Sequence, residues 1–215
     1  KKIKKIKKDF KNLLKDQPHF FEIFKPTYKY SYSKKTLTKY EKFSNIRIIG
    51  MGGSVLGAEA IYDFLKRKIK KNFTFANNLN NSENYLQDKN INLNLIISKS
   101  GNTLETIVNS NTLIKKNDHN IIITENNESY LTNLANKLKA EIFEHNNYVG
   151  GRYSVLSEVG MLPAELMNLN ENKFKQFNNL IKNKIFVSNL VNNVMATLNF
   201  INSGKFTSII LNYDE

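Results

Sequence analysis

Two polar turns and one isolated arginine hold the residues best suited to chemistry in this chain. The stretch GMGGSVLGAEA (Gly50–Ala60) places four glycines in eight residues directly after the apolar run NIRII. Glycines let a backbone approach a ligand closely. Ser54 stands where a helix begins, with N–H groups that point outward and carry partial positive charge. The dinucleotide pattern GxGxxG is met at Gly50 and Gly52 but fails at Val55, and Asn77 stands where an acidic ribose ligand belongs. A nucleoside triphosphate loop begun at Gly52 reaches Gly57 and then meets Ala58 and Glu59. Neither NAD nor ATP is expected. What survives is a generic anion cradle, with Gly53 and Ser54 as its contacts. The plain alternative is a glycine turn that only packs helix on strand.

The second turn, SKSGNTLET (Ser98–Thr106), carries four hydroxyls, one lysine and one glycine. Ser98, Lys99, Ser100, Gly101, Asn102 and Thr103 have the composition for wrapping a phosphomonoester with hydroxyls and backbone N–H groups together. Ser, Asn and Thr also cap helices, although a helix needs only one cap. The third segment is VGGRYSVLSEVGMLPAEL (Val149–Leu166), where Gly150 and Gly151 free the backbone just before Arg152. A guanidinium held there at the mouth of a phosphate site suits an oxyanion that forms during reaction. The alternative is an ion pair with Glu158 or Glu165.

These segments need elements to position them. Apolar runs at Asn45–Ile49, FTFA, Leu93–Ser98, Asn120–Thr124 and EIFEH alternate with helical patterns at Ser54 to about Ile69, Thr103 to about Lys116 and Tyr130–Lys139. Near-continuously apolar strands alternating with helices imply an α/β, doubly wound, five-stranded parallel sheet covered on both faces. In such a sheet both polar turns lie at the carboxyl ends of strands, the edge where ligands bind. The expected stripe of the first of these helices is Leu56, Ala60, Ile61, Phe64 and Leu65.

The expected organisation is a helical arm and connector over 1–44, the sheet domain over 45–169, and a helical connector leading into the first strand of a second α/β domain over 170–215. That strand is FTSIILNYDE. The opening KKIKKIKKDF reads as an amphipathic helix ended near Pro18, and the aromatics of His19–Lys42 are expected to pack on the following domain.

Composition narrows the function classes. The chain has 215 residues, no cysteine, and 32 basic against 19 acidic residues, for a net charge of +13. Absent cysteine rules out disulfides and thiolate metal sites. No run of eighteen apolar residues occurs, and the cytoplasm is the expected compartment. The positive charge invites nucleic acid, but only Arg47, Arg67 and Arg152 are arginines, whereas base readers rely on the guanidinium fork. Lysine here reads as solvent charge, and Arg47 and Arg67 as ordinary surface charges. Neither nucleic acid nor membrane is an expected partner. His19, His119 and His145 have no motif around them and are read as surface or loop residues.

GMGGS, SKSGNTLET and VGGRYSVLSEVG, in this order, resemble the sugar isomerase (SIS) family, and GGRYS before a helix resembles its glucose-6-phosphate isomerase branch. The likeness runs from about Asn45 to Leu166. It implies that Gly53, Ser54, Ser98, Lys99, Ser100, Gly101, Asn102 and Thr103 bind a sugar phosphate, Lys99 through its backbone N–H, and that Arg152 stabilises a cis-enediolate. It implies interconversion of glucose 6-phosphate and fructose 6-phosphate without metal or cofactor, in glycolysis and gluconeogenesis, by a homodimer. The carboxylate base in that branch lies in a later QLxxESxGK-like segment, expected beyond Glu215. Glu105, beside the phosphate loop, is poorly placed for that role. Gly101 and Asn102 depart from the commoner form, which has a bulky aromatic and a threonine there. The SGNT version is similar to that of dual-specificity phosphoglucose/phosphomannose isomerases. A phosphosugar-binding module without turnover is the competing expectation.

Overall fold

The computed structural model describes residues 2–16, 18–79 and 93–207. Its helices in chain order are α1 (Lys2–Asp16), α2 (Lys34–Leu37), α3 (Leu56–Leu65), α4 (Leu104–Leu113), α5 (Tyr130–Leu138), α6 (Glu158–Leu166), α7 (Glu171–Phe174) and α8 (Lys184–Asn202). The strands are β1 (Asn45–Gly50), β2 (Asn72–Ala76), β3 (Leu93–Ile97), β4 (His119–Thr124) and β5 (Glu141–Glu144). The chain divides into two compact units, His19–Lys175 and the pair of segments Lys1–Pro18 and Gln176–Glu215.

Within His19–Lys175 the strands form one parallel sheet in the order β2-β1-β3-β4-β5. The isoleucines explain its stability: Ile46, Ile48, Ile49, Ile96, Ile97, Ile121, Ile122 and Ile123 are all fully buried. Each such side chain contributes about 1.5–3 kcal/mol through removal from water. Alternate residues feed opposite faces. Ile46, Ile48, Leu93, Leu95, Ile121 and Ile123 join Val55, Ala58 and Ile61 near α3 and Val159, Leu162 and Leu166 of α6 in the larger core. Ile49, Ile96 and Ile122 join Leu113 of α4 with Leu131 and Ala135 of α5 in the smaller one. Both faces are therefore covered, as the unbroken apolar strands predict.

The smaller-core face also holds a polar row. Arg47 of β1 is register partner to Asn94 of β3, which is partner to Asn120 of β4. Asn94 Nδ2 donates to Asn120 Oδ1 at 3.0 Å and to Asp118 Oδ2 at 3.0 Å. Arg47 is only 2% exposed, and its Nη1 donates to the carbonyl of Leu113 at 2.9 Å. Its expected role as a surface charge is thus overturned. The helix C-terminus offers free carbonyls that a buried guanidinium satisfies. Arg67 does lie exposed, in the turn Lys66–Lys68.

The buried face of α3 also differs from the expected stripe. Val55, Ala58 and Ile61 are buried, whereas Leu56 is exposed and Phe64 is 89% exposed. A 3-10 turn at Gly52–Ser54 precedes the helix. Gly57 then lets α3 settle on Val155, since a Cβ at position 57 would lie 2.9 Å from Val155 Cγ2. That contact sets the rotation of the helix.

The connector packs on the sheet domain through its aromatics, with Ile23, Tyr32, Tyr40 and Phe43 inside the larger core. Its phenols are anchored by carboxylates: Tyr32 donates to Glu171 and Tyr40 to Glu141.

The other unit contains α1 and α8, which contact each other. Asn183 caps α8, and Val191 is its buried residue. No residue of α1 is buried. The strand expected at FTSIILNYDE lies almost wholly outside the described residues.

Candidate phosphate and oxyanion site

A strand order of 2-1-3-4-5 has its topological switch point between β1 and β3, and ligands of open α/β sheets bind there, outside the carboxyl ends of the strands. Gly50 and Ile97, the last residues of β1 and β3, are register partners. A Cβ at Gly50 would lie 2.8 Å from the Ile97 carbonyl oxygen. The two polar turns therefore leave the sheet side by side.

The first turn, Met51–Ser54, takes its bend from Gly52, whose φ of +55° favours glycine. The N-terminus of α3 receives no side-chain cap. Its first N–H groups are left for another acceptor.

In the second turn, Thr103 occupies the N-cap position of α4 but does not cap it. Its hydroxyl instead shares a hydrogen bond of 2.9 Å with Ser98 Oγ. The capping alternative thus fails for Thr103. Gly101 adopts φ +68°, and a Cβ there would lie 2.2 Å from Ser129 Oγ. Its carbonyl accepts from Leu131 N–H at 3.1 Å, and Asn102 Oδ1 accepts from Tyr130 N–H at 2.8 Å. The loop is thereby fastened to the start of α5. This accounts for glycine at 101 and asparagine at 102.

Ser100 Oγ accepts from Asn102 N–H at 3.3 Å, and Ser100 itself is exposed. The Lys99 side chain turns away along the strand ends: its Nζ donates to the Asn147 carbonyl at 2.6 Å and lies 3.6 Å from Glu125 Oε1. Among the described residues the backbone N–H groups of Lys99 and Ser100 meet no acceptor.

The third segment is clamped to the first. Ser154 Oγ lies 2.7 Å from the Gly151 carbonyl and 3.1 Å from the Gly53 carbonyl. A Cβ at Gly53 would lie 2.3 Å from the Gly151 oxygen, so the two backbones abut and only glycine fits. Arg152 is exposed beside this junction and makes no side-chain hydrogen bond or ion pair among the described residues. The carboxylates weighed as its partners are otherwise engaged. Glu165 pairs with Lys34 at 3.3 Å, and Glu158 is fully buried, accepting from Tyr28 Oη at 2.9 Å and Ser31 N–H at 3.1 Å.

The connector wraps this segment from behind. Phe20 stacks on Tyr153 with ring centroids 5.2 Å apart, and Tyr30 Oη donates to the Leu156 carbonyl. Burial holds the Glu158 carboxyl above the usual carboxylate range, despite hydrogen bonds from its own N–H, Ser31 and Tyr28. Burial and the nearby Glu158 push the Tyr28 phenol up as well. The sequence reading missed Ser154 as the clamp and Glu158 as the anchor. Ser154 is the serine of GGRYS and so is visible in the sequence, but nothing local signals the burial of Glu158.

His145, read as a surface or loop residue, follows β5 and is only 2% exposed. Its backbone N–H donates to the Thr124 carbonyl at 2.8 Å. Burial, with a smaller effect from Lys99, holds its imidazole below the usual histidine range. His119, by contrast, is exposed. Among the described residues no cluster of three or more His, Asp or Glu is placed to hold a metal ion, and no helix is long and apolar enough to cross a membrane.

Similarity to known proteins bears on the same segments. The family model described as phosphoglucose isomerase matches residues 14–213. A glucose-6-phosphate isomerase of Methanocaldococcus jannaschii is 35% identical over 199 residues, covering 84% of this chain and 48% of the relative. One from Acholeplasma laidlawii is 32% identical over 212 residues, with 84% of this chain and 48% of the relative covered. The chain thus spans about half the length of these relatives. Among solved structures, a hypothetical protein of Thermus thermophilus superposes with a TM-score of 0.65 at 20% identity, over 80% of this chain and 46% of that one. The sheet order, the two turns, the GGRYS segment and these matches agree, and the chain belongs to the phosphoglucose isomerase family.

Proposed function

We propose that this chain supplies the phosphosugar-anchoring part of a glucose-6-phosphate isomerase. In this reading the ester phosphate rests between the turns after β1 and β3. It takes hydrogen bonds from the backbone at Gly53, Lys99 and Ser100 and from the hydroxyls of Ser54, Ser98, Ser100 and Thr103, while Gly101 and Asn102 shape the loop. Arg152 reaches over the C1–C2 end of the open-chain sugar. The reaction moves a proton from C2 to C1, so oxidation at C2 balances reduction at C1 and no redox partner is required. Between the two transfers an oxyanion develops on the enediolate, and a guanidinium stabilises it. The family resemblance assigns the base to the carboxylate of a QLxxESxGK-like segment.

The observation that carries this reading is the Thr103 hydroxyl, turned to Ser98 and leaving α4 uncapped, in a turn that departs from β3 next to the end of β1. The test is isomerisation of glucose 6-phosphate by the full-length protein that contains this sequence. Arg152→Ala is expected to lower kcat by roughly 10²-fold or more with little change in KM. Unchanged turnover removes the role of Arg152. Phosphosugar binding without turnover in the unsubstituted full-length protein supports the binding-module reading instead. The Gly101–Asn102 form of the loop makes mannose 6-phosphate the competing substrate to measure.

A further inference from the structure

A cavity of about 180 Å³ lies within the sheet domain, lined by Lys34, Lys35, Lys71, Glu41, Glu165 and Leu166 among others. Lys71 immediately precedes β2, so the cavity belongs to the amino edge of the sheet, opposite the turns described above. Its volume is about six times a water's share of liquid volume, room for a group the size of phosphate. The charges around it are unequal. Lys34 and Glu165 already pair at 3.3 Å. That leaves Lys35 and Lys71 facing Glu41, which is exposed at the rim.

Lys71 is the unusual member. Its Nζ is hidden from solvent and has no hydrogen-bond partner among the described residues. A buried ammonium without a partner is costly and persists only when something offsets it. Burial lowers its pKa from the usual lysine value, with Glu41 acting weakly in the other direction. A cation is repelled by this arrangement, and an apolar guest leaves the ammonium unpaired. A small dianion satisfies Lys71 and draws in Lys35, while Glu41 at the rim disfavours a long polyanion.

We propose that this cavity is a second anion site, separate from the phosphosugar crevice, which takes a small oxyanion of the phosphate class on Lys71 with Lys35 at its mouth. The site offers regulation by inorganic phosphate or a small phosphate ester without competition at the crevice.

The test uses inorganic phosphate as the probe and the rate of Lys71 acylation by acetic anhydride, read by mass spectrometry. Because only free protein reacts, phosphate at ten times its Kd slows labelling of Lys71 by roughly tenfold, in a saturable manner. The same protection is expected in the Ser98→Ala/Ser100→Ala variant, whose crevice is weakened, so failure of the proposed function does not affect the outcome. In that background phosphate raises the melting temperature, and adding Lys71→Met abolishes the rise. Labelling of Lys71 that ignores phosphate overturns the proposal. So does protection that disappears with Ser98 and Ser100, or a melting shift that survives Lys71→Met.

Discussion

Four of the longer helices in the sheet domain begin in two different ways. α5 starts with a capping box in which Ser129 and Thr132 satisfy each other's backbone, and α6 starts on Ser157, whose hydroxyl accepts from Val159 N–H. α3 and α4, which follow the strands at the switch point, start with no side-chain cap. The residues available are of the same kind, since Ser54 and Thr103 stand at or near these starts. A cap contributes about 1 kcal/mol, so the chain forgoes local stability at the two helix ends where a phosphate can supply the missing acceptors. Open N-termini mark the candidate site, and closed ones mark the scaffold.

Substitutions can break this contrast, beginning with the largest effect. Gly101→Ala places a Cβ against Ser129 and forces alanine into a left-handed conformation, so denaturant unfolding should show a loss of about 2–4 kcal/mol. An unchanged midpoint means that the loop is not fastened to α5 as described. Ser129→Ala is expected to cost about 1 kcal/mol in the same assay, because a working cap is removed. Thr103→Ala removes the same kind of hydroxyl from the equivalent position of α4, where it holds Ser98 Oγ and not the helix N–H groups, so it should weaken phosphosugar binding, which Ser129→Ala leaves unchanged. Equal losses of binding at Ser129 and Thr103 would erase the distinction.

A smaller effect sharpens the picture at the strand ends. The imidazole of His145 has a folded pKa below its unfolded value of 6.5, so the unfolded chain takes up its proton first as pH falls. The stability this gives is present above pH 6.5 and is lost as pH drops through the folded value. Thermal melts between pH 8 and pH 5 should therefore decline more steeply for the parent than for His145→Asn. Parallel declines remove His145 as the cause.

How much of this was legible in the sequence depends on how local the cause is. The strands were legible because a sheet buried on both faces demands continuous apolar runs, and Ile121–Ile123 has no other reading. The burial of Arg47 was not, because its acceptor at Leu113 lies 66 positions away. The face of α3 was hidden for the same reason: Val155, which fixes its rotation, belongs to a distant segment. At the candidate site the residue types were visible, but their division of labour was not. A threonine before a helix reads as a cap until Ser98 is seen to hold its hydroxyl.

The row formed by Arg47, Asn94 and Asn120 carries a consequence for how the sheet assembles. Apolar strands rich in isoleucine are nearly interchangeable along their length, so hydrophobic contact alone discriminates poorly among alignments. Sliding any of these strands by one residue exchanges its two faces. A slipped β1 thrusts a guanidinium among isoleucines with no carbonyl to meet it, and a slipped β3 strands an amide in hydrocarbon. Mispaired sheets are therefore penalised at a single level across three neighbouring strands, and that penalty brings Gly50 and Ile97 level at the rim where the two polar turns depart.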